Sequence, residues 1–159
     1  MDNKGYQHLI GRPFNFGVND CFDLARQLYI DNFGIEVPNF ARPNDWSADD
    51  LDLIRILHED AGFEMIVDWK PADLRPWDVL CLSIGEANPN HIAVLTDDGH
   101  LVHHLRDRLS EATPYEDFWR RHTAFVLRHP NVPDLRPKPF EADLEKMLNA
   151  RQTAHLPAE

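Results

Sequence analysis

The chain has 159 residues, 43% of them apolar, and a formal net charge of −11. That length supports one compact domain with a sizeable core and no staples, and the two cysteines, Cys21 and Cys81, make no disulfide framework. The excess of acid argues against nucleic-acid binding, which needs a basic footprint, and no stretch reads as a membrane span or a signal peptide.

The first predicted element is a helix over residues 20–33. Leu24, Ala25, Leu28 and Phe33 recur at near-helical spacing, Asn19 or Asp20 can cap the start, and Gly34 can end it. Cys21 then lies in the first turn, where unpaired N–H groups favour an anion, so a lowered thiol pKa is expected. A second helix is read over residues 47–61, capped by Ser47 with Asp50 at the third position and Gly62 behind it. The acids around it, from Asp45 to Asp60, read as a solvated face. Phe63–Val67 reads as a short extended segment, followed by a loop from Pro71 to Pro76. Asp78–Ile84 is expected to be a central strand in which Cys81 is a core residue.

Two β runs flank Asp97-Asp98-Gly99 and predict a hairpin. Its loop length decides which histidine shares a face with His91. A two-residue loop puts His104 there, and a three-residue loop with Gly99 in the left-handed bulge position puts His103 there. Strand parity admits only one of the two. Arg106, Arg108, Arg120 and Arg121 are expected either to pair with nearby Asp and Glu or to meet carboxylates of a substrate. Thr123–Arg128 is a further strand. Pro130, Pro133, Pro137 and Pro139 make a stiff linker. Phe140–Arg151 then reads as a helix with Phe140, Leu144, Met147 and Leu148 on one stripe, which needs a surface to dock on. The chain therefore divides into a domain over 1–129 and a linker with a docking helix over 130–159. The fold class is α+β, with an N-terminal helix carrying Cys21 packed on an antiparallel sheet carrying His91 and His103.

Cys21 and His91 lie 91 − 21 = 70 residues apart and form a nucleophile and base of the cysteine-hydrolase kind. The histidines match no zinc pattern with Cys or carboxylate ligands, so neither a metal nor another cofactor is expected.

Asp20-Cys21-Phe22-Asp23-Leu24, His91 opening a strand, and a third polar residue 103 − 91 = 12 positions on resemble the NlpC/p60 family of papain-like peptidases. Gly11-Arg12-Pro13-Phe14, Pro76-Trp77-Asp78-Val79-Leu80 and the run Gly99 to Ser110, with Tyr115 and Trp119 behind it, are similar to the phage-tail branch of that family. The resemblance selects the three-residue loop. It implies Cys21 as nucleophile, His91 as general base and then acid, and His103 as the orienting residue. It places Asp20, Phe14 and Trp77 beside the substrate or the oxyanion. Phe14 stands where the family often has a Tyr hydroxyl, and Trp77 where it usually has Gly. The implied substrates are the stem peptides of peptidoglycan, cleaved in cell-wall penetration. The implied location is the tail tip of a virion, with other tail-tip or hub proteins as partners of the C-terminal segment. A structural tail part with an unused site is the alternative.

Overall fold

Asp20 starts the first helix, α1 (Cys21–Phe33), by accepting the N–H groups of Phe22 and Asp23, while the Asp23 carboxylate returns to the Asp20 N–H. This reciprocal cap satisfies donors that the first turn leaves orphaned. Gly34, in the left-handed region at φ +66°, ends the helix as expected. The computed structural model describes residues 4–43, 52–136 and 140–154.

The remaining elements are α2 (Leu53–Leu57), β1 (Glu64–Ile66), β2 (Val79–Leu82), β3 (His91–Leu95), β4 (His100–His103), β5 (Glu111–Pro114), α3 (Asp117–His122), β6 (Thr123–Arg128) and α4 (Phe140–Ala154). The expected second helix is short. It begins after Asp52, whose carboxylate accepts the Arg55 N–H, and the proposed caps Ser47 and Asp50 lie outside the described residues. Composition alone did not reveal β5 or α3.

The strands form one six-stranded antiparallel sheet in the order β1-β6-β2-β3-β4-β5. One face carries Cys81, Ile92, Val94, Val102 and Phe125 against Leu24, Ala25, Leu28 and Tyr29 of α1. The other face carries Leu80, Leu82, Ala93, Leu95, Leu101 and Val126, with Tyr115 and Trp119 over them. Because both faces are covered, every residue of β2 and β3 is buried and neither strand alternates in hydropathy. Cys81 is core, as expected. Together these elements make an α+β fold. Among the described residues no helix is long and apolar enough to cross a membrane.

Candidate active site

The β3–β4 register pairs Ala93 with His103, Val94 with Val102 and Leu95 with Leu101. Continued to the turn, it pairs Thr96 with His100, whose carbonyl accepts the Thr96 N–H. The loop is therefore Asp97-Asp98-Gly99, three residues long, with Gly99 at φ +78°. His91 and His103 share one face in consequence, and His91 Nε2 lies 2.9 Å from His103 Nδ1. Both rings are buried, and the edge of Trp119 meets the His103 ring at 4.8 Å between centroids.

Two residues of β5 lie beside the outer nitrogen of His103. His103 Nε2 lies 3.0 Å from Thr113 Oγ1 and 3.6 Å from Glu111 Oε1. A carboxylate can only accept, so it favours the proton on His103 Nε2. His103 Nδ1 then accepts from His91 Nε2–H, and His91 Nδ1 keeps a free lone pair. The tautomers are assigned from this network. Glu111 and Thr113 were not found from the sequence. The signal present was their alternation in Glu111-Ala112-Thr113-Pro114, which puts both on one face of a strand.

Cys21 is the first residue of α1 and meets the first residues of β3. It is half-buried and lines one cavity together with His91, Asp20 and Phe14. Burial pushes its thiol up to about 12; the Ile92 N–H works against that, and the Asp20 carboxylate adds to it. A lowered thiol pKa was expected from the helix N-terminus. Desolvation outweighs the partial charge of the first turn here, and an adjacent carboxylate opposes it further. Burial also lowers His91 to about 3, helped by His103 and His104. It lowers His103 to about 4, with Arg108 and His104 adding to it. The resting pair is therefore a neutral thiol and a neutral imidazole.

Asp20 is buried and does more than cap. It also accepts the Gly17 N–H at 2.9 Å and two guanidinium N–H groups of Arg42, at 3.1 Å from Nε and 2.9 Å from Nη2. Burial works to raise its pKa, but the N–H groups of Asp23 and Gly17 and the Arg42 cation outweigh it, and the carboxyl lies below its ordinary value. Arg42 also reaches Asp23 at 3.1 Å and the Phe40 carbonyl at 2.8 Å, and stacks over Phe22 at 4.7 Å. Sequence reasoning missed Arg42, since no periodicity marks Phe40-Ala41-Arg42-Pro43.

Phe14 meets the His104 ring edge-on at 5.3 Å. His104 lines the cavity as well, with Nε2–H donating to the Arg108 carbonyl at 2.9 Å. Parity was expected to exclude one histidine, but β4 ends at His103 and the alternation no longer governs His104. Trp77 lies elsewhere. Its ring is buried edge-on against Phe33 at 5.3 Å, its N–H donates to the Leu95 carbonyl, and its carbonyl accepts from the Tyr29 hydroxyl. Its φ of +72° explains why Gly suits the position. The Arg106 guanidinium lies over Phe16 at 5.8 Å and that of Arg120 over Tyr115 at 5.6 Å. No group of three or more His, Cys, Asp or Glu suited to a metal occurs among the described residues.

A family model described as the NlpC/P60 family matches residues 11–128. Tail tip assembly protein K of Escherichia phage lambda is 38% identical over 122 residues, covering 77% of this chain and 59% of that protein. Tail tip assembly protein K of Escherichia phage N15 is 25% identical over 131 residues, covering 81% and 52%. The chain thus spans little more than half the length of these relatives.

Proposed function

This chain belongs to the NlpC/P60 family, and on that premise we propose that it is a cysteine peptidase of a phage tail, hydrolysing peptide bonds of peptidoglycan stem peptides. The relatives named for tail tip assembly support the location and the tail partners. The observation that carries the catalytic reading is the relay from Glu111 and Thr113 through His103 to His91, in the cavity that Cys21 also lines.

Cys21 Sγ attacks the scissile carbonyl carbon as its proton passes to His91 Nδ1. His91 then gives that proton to the departing amine, and water hydrolyses the thioester with His91 again as base. His103 keeps Nδ1 of His91 basic. Asp20 takes the N–H groups of Phe22 and Asp23 and leaves that of Cys21 for the oxyanion. Phe14, with no hydroxyl, borders the same space. The catalytic unit is residues 1–129, and the segment from 130 on engages a neighbouring tail protein. In α4, Leu144, Met147 and Leu148 are exposed.

A second reading, a structural tail part with an unused site, is favoured by the raised thiol pKa of Cys21. Incubating the purified protein with defined muropeptides, beside Cys21→Ala, separates the two. Cleavage by the wild type alone supports the peptidase. If neither the free protein nor virions cleave, and Cys21→Ala phage infect normally, the structural reading replaces it.

A further inference from the structure

His104 carries a buried polar atom that the relay does not use. β4 ends at His103, and the chain then turns. The Arg108 N–H donates to the Leu105 carbonyl at 3.2 Å, and Ser110 is tied through its N–H to the Arg12 carbonyl at 2.9 Å and through its hydroxyl to the Leu9 carbonyl at 2.6 Å. That turn holds the Arg108 carbonyl where it accepts the His104 Nε2–H at 2.9 Å. A carbonyl only accepts, so the proton is on Nε2 and Nδ1 of the neutral ring is an acceptor. Nδ1 is buried and has no hydrogen-bond partner among the described residues. His103, one residue earlier, gives the contrast: both of its nitrogens have partners, in His91 and Thr113. His104 is 1% exposed and lines the cavity that Cys21 and His91 share. Phe14 meets its ring edge-on at 5.3 Å and has no polar side-chain atom to offer. A buried acceptor without a donor is costly, and a donor that enters recovers that cost.

We propose that His104 Nδ1 is a substrate-binding acceptor that takes one backbone N–H of the peptide lying across the cavity. This rests on the peptidase reading and adds to it a residue that holds substrate without joining the proton relay. A peptide suits the place because every residue except proline offers such a donor. The carboxylates of a stem peptide only accept, so they cannot fill it. Burial of Nδ1 keeps bulk water from competing for the N–H, and the bond sets the register of the peptide against Cys21.

The test is binding to the full-length Cys21→Ala chain, which cannot turn the ligand over. The probe is a defined muropeptide carrying a stem peptide, titrated by calorimetry. In that parent, His104→Gln keeps an N–H near the place of Nε2 and removes the acceptor at Nδ1; His104→Asn does the reverse. The Gln variant should melt like the parent but bind roughly tenfold more weakly or worse, because the peptide N–H is left without an acceptor. The Asn variant should melt lower, having lost the tie to Arg108, yet bind within about threefold of the parent. With 15N-labelled histidine, the Nδ1 resonance of His104 should move upfield when the muropeptide is added while that of Nε2 stays in place. Parental affinity in the Gln variant, an equal loss in both variants, or an unmoved Nδ1 resonance would overturn the role of His104 and leave the peptidase reading standing. No binding of the muropeptide to the parent would overturn the stem-peptide reading and this one with it.

Discussion

Thr113 lies 3.0 Å and Glu111 3.6 Å from His103 Nε2, so under the peptidase reading the groups that bear on the His91 proton extend beyond the Cys-His pair. If His103 orients His91, His103→Ala should cut muropeptide turnover by up to about 10⁴-fold, the scale seen when a triad tautomer is lost. His104→Ala should cost far less; the reverse order would remove His103 from the relay. The thiol makes a second prediction. A neutral Cys21 held up to about 12 should react with iodoacetamide at a rate that keeps climbing through alkaline pH. A plateau already reached at neutral pH would mean an ion pair instead. Stability should respond to the same burial. His91 and His103 titrate near 6.5 in the unfolded chain but are lowered to about 3 and about 4 when folded. As pH falls below 6.5 the unfolded chain therefore binds protons that the folded one refuses. Stability is complete above that value and drops toward pH 4 and below, by up to about 1.4 kcal/mol per pH unit for each ring. Melting curves against pH should show this slope, and His103→Asn should make it shallower.

Among the elements, the start of α1 carries a cluster of buried charge. Asp20, Asp23 and Arg42 form one ion-paired unit whose side chains are 5%, 12% and 9% exposed. Removing the cation leaves two carboxylates facing each other with little water, so Arg42→Met should destabilise the fold by about 3–5 kcal/mol in urea titrations. Asp20→Ala loses the cap, worth about 1–2 kcal/mol, and also strands Arg42, so its cost should exceed the cap alone. If Arg42→Met melts like the wild type, the clamp contributes nothing. The helix, its cap and its glycine stop were legible in the sequence because they are local. The helix α2 was legible too, inside the wider span read over 47–61, but its end at Leu57 was not. The short strand β5 was missed because its burial is set by pairing to β4.

For the molecule as a whole, the composition changes after His129, but the contacts do not stop there. Val132 packs against the core, and Asp134 lies 3.6 Å from Arg75. A cut after Arg136 therefore keeps these contacts and removes α4. That truncated protein should retain whatever cleavage the full chain has and enter tails poorly, as read by complementation of a phage lacking the protein. Cys21→Ala should do the opposite, assembling normal tails without cleavage. Equal incorporation of the truncated and full chains would show that α4 is not the docking element.

The sequence by itself determined the cysteine on a capped helix start, the hairpin carrying His91, the burial of Cys81 and the family. Each is written in a spacing, a cap or a turn within a few residues. It left open whether His103 or His104 shared the face of His91, since both loop lengths obey the same local rules; the register of β3 on β4 closed that question. Only the tertiary structure brought Glu111, Thr113 and Arg42 together with Cys21 and the histidines, took Trp77 into the core and raised the thiol of Cys21. The physical reason is common to all of these. Desolvation and long-range hydrogen bonding depend on which distant segments exclude water from a group, and no local pattern encodes that.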